Sequence, residues 1–395
     1  MRIFVVDHNC ILRYGHNSKS VKLYTDYFSS LGFHTIALVP KDYRGMTARA
    51  DCVLTYPYSY LVEPETPKFL QRRRINRFAN KLSMTIGFDA KLATLRSNWS
   101  HIIETYQISS DDLIFFPSTD FFGATSLIQY LEKKGRMHNA PRIHCRLIGV
   151  MENQGFKRPY PRLDLIRLIK SNSEQLCISV SAETPTYASY LQMLLRRDVT
   201  YFPYPLFEAR QRDAVSSFLV SSPGSGRADK GFFDTLAIAQ AVYAQNRSAE
   251  IRLVTQDMQR TDKLYDQEYS KRLAEFPNIE LQAASLSEDD IDAMMQSSFG
   301  YFLPYSPGTY RQRGSAIFQE AISYGKSVVV KHGTGFSELV TRYKAGHLAE
   351  TPSDFASSIQ DLYRKFKHGD DIRIDRALYL DDLERAALLA IGNAR

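Results

Sequence analysis

Three glycines and two cations fall within nine consecutive residues, Pro223-Gly224-Ser225-Gly226-Arg227-Ala228-Asp229-Lys230-Gly231. Glycines let a ligand approach the backbone, a helix start offers unpaired N–H groups, and Arg with Lys adds fixed positive charge. The chemistry these residues suit is holding a phosphate or diphosphate. Two familiar phosphate loops are excluded by spacing. A P-loop closes on Gly-Lys-Ser/Thr, and the dinucleotide fingerprint needs a third glycine at position 229, where Asp stands. A flexible loop with solvated charges is the other reading of the same residues.

A second segment reads Tyr310-Arg311-Gln312-Arg313-Gly314-Ser315-Ala316-Ile317-Phe318-Gln319-Glu320-Ala321-Ile322-Ser323-Tyr324-Gly325, and the strand-like Val328-Val329-Val330 follows closely. Ser315 is a fitting N-cap and Gly325 a fitting C′ residue, so the spacing predicts a helix of about three turns leaving an Arg-rich loop. Ile317, Phe318, Ala321, Ile322 and Tyr324 form its apolar stripe, with Glu320 on the flank. A carboxylate there suits the two hydroxyls of a ribose, or is an ordinary solvated helix glutamate. In the first half, His16 stands in Tyr14-Gly15-His16-Asn17, between the first strand and the first helix. His144 and Arg146 alternate with apolar residues in Arg142-Ile143-His144-Cys145-Arg146 and share one face of a strand. His16 reads as a surface histidine or a ligand contact, His144 as a satisfied core histidine or a site residue.

The order of these pieces resembles the family 4 retaining glycosyltransferases. The Arg227-x-x-Lys230-Gly231 cradle, the Gly314–Lys326 helix segment with its strand, and the trailing Gly333-Thr334-Gly335 look like that family's donor half. The resemblance implies the α/β GT-B fold, two Rossmann-like doubly wound domains facing each other across a cleft that holds the active site. It implies that Arg227 and Lys230 contact the donor diphosphate and stabilise the leaving group. Glu320, as the second glutamate of an E-x7-E motif, would hold the nucleoside ribose. Gln312 stands in the place of the first glutamate, which contacts the sugar; an amide still hydrogen-bonds hydroxyls but carries no charge. Gly226, Arg313, Gly314, Ser315 and Ala316 would lie against the donor, Gly15 would face its phosphates, His16 would touch acceptor or sugar, and His144 would be an active-site histidine. The implied activity is transfer of a sugar from a nucleotide-sugar to a hydroxyl with retention of anomeric configuration, in polysaccharide, lipopolysaccharide or glycolipid assembly. A non-hydrolysing nucleotide-sugar epimerase of the same fold is one alternative. A non-catalytic nucleotide-binding scaffold is another, and Gln312 is its best argument.

Such residues need elements to position them. Short β-branched or aromatic runs at 3–6, 35–39, 52–55, 113–116, 143–148, 176–180 and 199–202 alternate with amphipathic stretches such as 19–31, 125–131 and 187–195. That alternation is the pattern of a parallel doubly wound sheet. Phe202-Pro203-Tyr204-Pro205 interrupts it, because proline cannot donate to a ladder. Beyond it strands are expected at 217–220, 250–254, 279–281, 301–303 and 327–330, with helices at 231–244, 288–296, 315–324, 352–366 and 381–391. The domains are therefore placed at 1–205, for the acceptor, and 206–375, for the donor, with a C-terminal helix over 376–395 packing back toward the first.

Composition bounds the class. With 395 residues, 44% hydrophobic and 24% charged, the chain has enough apolar residue for two cores and no sign of long disorder. Its four cysteines form no C-x-x-C pair and sit beside apolar runs, so they read as buried thiols in a reducing compartment. Neither a signal peptide nor a membrane-spanning run is evident, and a cytoplasmic location is expected. The net charge of +7 is uneven: residues 1–205 carry 27 Lys and Arg against 17 Asp and Glu, and the rest 23 against 26. Six cations interleave with apolar residues over 68–82, the pattern of a helix lying on an anionic membrane, here the inner face, or of a plain solvated face. No nucleic-acid-binding module accompanies the charge. The Asp290-Ile291-Asp292 triplet sits inside a helical pattern rather than at a strand end, so neither a metal nor any other cofactor is implied.

Overall fold

The computed structural model describes residues 1–8, 10, 16–40, 43, 51–56, 90–119, 121–135, 139–149, 165–173, 175–208, 215–247, 250–370 and 373–392. Gly15 and the basic run 68–82 lie outside the described residues. The chain divides into two units, one of Met1–Glu183, Tyr187–Pro205 and Leu383–Arg395, the other of Thr184–Thr186 and Leu206–Asp382.

In the first unit, strands β1 (Arg2–Val6), β2 (His34–Pro40), β3 (Asp51–Tyr56), β4 (Leu113–Phe116), β5 (Arg142–Leu147), β6 (Ile178–Ala182) and β7 (Thr200–Tyr201) alternate with helices. The helices are α1 (His16–Ser30), α2 (Ala90–Thr105), α3 (Phe121–Lys133), α4 (Leu165–Asn172) and α5 (Pro185–Leu195). All strand pairs are parallel, in the order β3-β2-β1-β4-β5-β6-β7. Parallel strands need crossover helices on both faces, which is why β1 from Ile3 and β4 read as unbroken apolar runs, whereas β5, Arg142-Ile143-His144-Cys145-Arg146-Leu147, alternates and yet is buried from Ile143 on. Phe4, Ile114 and Phe116 pack on one face with Trp99, Leu127 and Ile128. On the other, Tyr24, Phe28, Phe115 and Phe202 form an aromatic cluster with ring centroids 4.8 to 6.4 Å apart. Helix α1 buries Val21, Tyr24 and Phe28 as its spacing predicts, but Leu31 lies past the helix end and is exposed. The chain turns there, with Gly32 at φ 87° and Phe33 N–H closing onto the Phe28 carbonyl at 3.1 Å.

The second unit has β8 (Leu219–Ser222), β9 (Arg252–Gln256), β10 (Ile279–Gln282), β11 (Gly300–Leu303), β12 (Ser327–Lys331) and β13 (Gly346–Ala349), parallel in the order β10-β9-β8-β11-β12-β13. Its helices are α6 (Thr235–Gln245), α7 (Gln267–Ala274), α8 (Glu288–Ser297), α9 (Pro307–Tyr310), α10 (Ala316–Ser323), α11 (Ser337–Arg342) and α12 (Pro352–His368). A last helix, α13 (Arg376–Ala390), begins in this unit and ends in the first. Both sheets reverse strand order once, at β1/β4 and at β8/β11. In doubly wound sheets the crevice for ligands opens at such a reversal, outside the carboxyl ends of the strands.

Three features differ from the sequence expectations. Strand β13 carries no β-branched run and was not foreseen; it pairs with β12 through Gly346, where any Cβ would stand 1.9 Å from the Val328 carbonyl oxygen. Helix α13 opens at Arg376, the start of the segment given to a C-terminal helix, and so begins five residues before the helical stretch expected at 381–391. Cys10 and Cys145 are buried thiols, but Cys177 is exposed, because it precedes β6 instead of lying in it. Among the described residues, no three His, Cys, Asp or Glu side chains are grouped as a metal ion would require. No described helix is long and apolar enough to cross a membrane.

Candidate functional site

Ser222 ends β8, and the glycine-rich segment begins at once. Gly226 forms a single parallel bridge with Met258, and a Cβ on it would stand 2.5 Å from the Gln256 carbonyl oxygen, so only glycine lets the loop run this close to the end of β9. The helix expected from Gly231 starts later. Two 3₁₀ turns, Ala228–Lys230 and Phe232–Asp234, come first, hinged at Gly231 with φ 78°, and α6 follows at Thr235. Gly231 sits against the loop after β11, where a Cβ would be 2.1 Å from the Pro304 oxygen, and Ser306 N–H donates to the Asp229 carbonyl at 2.9 Å. The loops after β8 and β11, the two strands flanking the reversal, are thus locked together.

The loop after β8, the start of α6 and the end of β9 line a small open pocket whose wall includes Arg227, Lys230 and the hydroxyl residues Ser222, Ser225, Thr235 and Thr255. Its two cations are held differently. Arg227 Nε and Nη2 donate to the Asp229 carboxylate at 2.8 and 2.6 Å, and Nη2 also reaches the Tyr310 hydroxyl at 3.1 Å. The pairing raises the Arg227 pKa above its ordinary value, chiefly through the hydrogen bonds that the guanidinium donates to Asp229. Lys230 has no hydrogen-bonded carboxylate among the described residues; its Nζ lies 5.8 Å from the Tyr305 ring centroid. Burial, and then the neighbouring Arg227 charge, pull its pKa down to about 8, against a smaller upward pull from Asp229. Lys230 therefore remains mostly charged at neutral pH but carries its charge at a cost that an anion would relieve.

The second segment lies beside the first through two tyrosines. The Tyr305 and Tyr310 rings are 4.7 Å apart, the Arg313 guanidinium is 5.9 Å from the Tyr310 centroid, and Ser315 hydrogen-bonds the Tyr305 hydroxyl. Ser315 caps α10 as its type and place predict, its Oγ accepting from Phe318 N–H at 3.2 Å, and Gly325 takes φ 65° beyond the helix end. Gln312, Arg313, Gly314 and Ala316 are half-buried around that helix start. Helix α10 does not have the one-sided stripe expected of it. Gln319, Glu320 and Ser323 are buried with Phe318, Ala321 and Ile322, so Glu320, 4% exposed, is no solvated flank residue. It stands one turn into α10 and is not among the residues lining the pocket.

The first unit contributes differently from what the sequence implied. His144 lies in the core, not in a site. Its Nδ1 and Nε2 each meet a serine hydroxyl, of Ser179 and Ser181, at 2.7 Å, and its ring stacks on Phe115 at 5.1 Å and 5°. With both nitrogens occupied and burial pulling its pKa to about 3, it has no atom or proton to offer a substrate. Its neighbour Arg146 is equally enclosed, donating to the Phe202 and Pro117 carbonyls at 2.9 and 3.0 Å. His16 is the first residue of α1, with its side chain outside what is described, as is Gly15. Sequence reasoning missed Asp229, Tyr305, Tyr310 and the wall hydroxyls. A signal existed for some: Ser222 and Thr255 lie at the carboxyl ends of adjacent strands.

The fold is the GT-B fold, built from two Rossmann-like units. Across 98% of this chain and 99% of its own, sucrose-phosphate synthase from Thermosynechococcus elongatus superposes with a TM-score of 0.58 at 13% identity. HepE of Anabaena, crystallised with UDP, does so at 0.60 and 12% over 99% and 100%, and TarM at 0.64 and 11% over 99% and 98%. At such identities the likeness is one of fold. No protein-family model and no curated sequence matches the chain.

Proposed function

We propose that this protein is a retaining glycosyltransferase, moving a sugar from a nucleotide-sugar donor to a hydroxyl of a saccharide or lipid-linked saccharide without a metal ion. The observation that carries the reading is the half-buried pair Arg227 and Lys230 in a hydroxyl-lined pocket at the carboxyl ends of β8 and β9, beside the sheet's reversal. Departure of a nucleoside diphosphate from a sugar leaves negative charge on the phosphates. Fixed cations in a pocket partly shielded from water stabilise that charge more than water does and need no reorganisation as it develops. Lys230 supplies most of this, and Arg227 adds a planar fork suited to phosphate oxygens. The likeness to HepE, whose crystals hold UDP, supports a uridine nucleotide as the first donor to try.

In this proposal Gly226 and the backbone of Gly314, Ser315 and Ala316 lie along the donor, Arg313 and Gln312 face its sugar, and Glu320 takes the ribose diol by turning from its buried position. Retention follows from the resemblance of the motifs, as no side chain is assigned as a covalent nucleophile. Gly15 and His16 are proposed for the phosphate and acceptor side, and the basic run 68–82 for docking on an anionic membrane.

A panel of UDP-, ADP-, GDP- and dTDP-sugars, screened by thermal shift and then by donor hydrolysis or transfer to cell lipid extract and oligosaccharides, tests the reading. A ligand at 100 times its dissociation constant stabilises by about 2.7 kcal/mol, a readily measured shift. Lys230→Ala should lower turnover about 100-fold, and Glu320→Ala should mainly weaken donor binding. No stabilisation by any donor and no turnover, or unchanged kinetics in both folded variants, would refute it. Interconversion of the sugar with no transfer would identify an epimerase.

A further inference from the structure

Asp229 has no part in the reading above, yet its carboxylate occupies the edge of Arg227 that a phosphate would take. Both contacts are charge-assisted, 2.8 Å from Nε and 2.6 Å from Nη2, in the side-on geometry that guanidinium also offers to phosphate. The backbone carbonyl of Asp229 is tied to Ser306 N–H at 2.9 Å, so the loop is held there by a bond that the carboxylate does not share. The side chain is only partly buried, 26% exposed, and Arg227 is 43% exposed, so each can exchange partners without a large loss of packing. Lys230, one residue on, has no such carboxylate. The pocket therefore holds one cation with no carboxylate hydrogen-bonded to it among the described residues and one already paired.

We propose that Asp229 is an internal counter-anion for Arg227: it holds the guanidinium until a diphosphate arrives, yields it to a phosphoryl group of that diphosphate, and reclaims it when the nucleoside diphosphate leaves. This rests on the diphosphate reading of the pocket and adds a specificity-determining residue to it. An anion that reaches only Lys230 does not displace Asp229, whereas a diphosphate spans both cations and pairs with both. The exchange weakens diphosphate binding by the strength of the Arg227–Asp229 pair and so favours product release.

A double-mutant cycle tests the exchange, because removing any negative charge near the pocket would strengthen anion binding to some degree. Binding of UDP and, separately, inorganic pyrophosphate is measured by calorimetry on the full chain, for the wild type, Asp229→Asn, Arg227→Gln and the double variant. With Asp229→Ala as a second removal, unfolding of one variant does not leave the question open. The expected result is about fivefold tighter binding on losing the carboxylate when Arg227 is present, and less than twofold when it is not. An equal gain in both backgrounds would show a general charge effect and overturn the proposal, as would weaker or unchanged binding in Asp229→Asn and Asp229→Ala. Pyrophosphate separates this from the wider reading. If it binds and obeys the cycle while no nucleoside diphosphate binds, the counter-anion stands and the nucleotide-sugar reading falls; if neither binds, both fall.

Discussion

Lys230 should make diphosphate binding depend on pH in a range where most lysines are silent. Its pKa is about 8, lowered first by burial and then by Arg227. A diphosphate binds the ammonium form and, once bound, raises its pKa. The apparent dissociation constant should then scale as one plus the ratio of neutral to charged lysine. Between pH 7 and pH 9 that quantity grows about tenfold, equivalent to about 1.4 kcal/mol. A lysine at its ordinary value would change it by only about 4%. The sign for folding is opposite. A lysine whose pKa is lowered on folding binds fewer protons in the native than in the unfolded state, so its contribution to stability rises as pH climbs from about 8 toward the unfolded value. Calorimetric titration of UDP at pH 7, 8 and 9 and constant ionic strength is the assay. Lys230→Arg, which cannot lose its proton, is the control and should be flat. A flat wild-type profile, or an equal slope in Lys230→Arg, would refute the assignment of Lys230 to the diphosphate.

Transfer activity should survive excess EDTA, since the cation pair is proposed to replace a metal; complete loss restored by a divalent cation would show a metal site. Gly231→Ala should destabilise by ~2–4 kcal/mol in urea melts, because its Cβ would meet the Pro304 oxygen at 2.1 Å, while Gly32→Ala, at φ 87° with open space around it, should cost only about 1 kcal/mol. Changing Arg72, Arg73, Arg74 and Arg77 together to Ser should reduce flotation with phosphatidylglycerol vesicles at low salt by a factor of about several hundred, at roughly 1 kcal/mol per charge. Equal flotation of the two proteins would remove the membrane from the proposal. Stability should fall as pH drops below 6.5 toward 3, by up to about 1.4 kcal/mol per unit from His144, whose pKa is held near about 3 in the fold; His144→Leu should flatten this limb in urea melts at graded pH.

Much of the fold was legible in the sequence because its causes are local. Unbroken apolar runs such as Leu113–Phe116 announce strands covered on both faces, Ser315 and Gly325 announce where α10 starts and stops, and the proline pair at Pro203 and Pro205 lies where the chain passes between units. The glycine-rich cradle was visible for the same reason. Its three glycines and two cations are adjacent in the chain, so no tertiary contact was needed to notice them. Tertiary structure alone decided what those residues meet. That Arg227 also meets the Tyr310 hydroxyl and that Lys230 lies over Tyr305 depend on β8 and β11 being neighbours in the sheet, since these partners are more than 70 residues apart in the chain. That Glu320 is buried and that His144 is spent on Ser179 and Ser181 depend on which elements cover α10 and β5. Periodicity records which face of an element is apolar, but a polar side chain on that face is core or site according to what packs over it, and only the folded chain settles that.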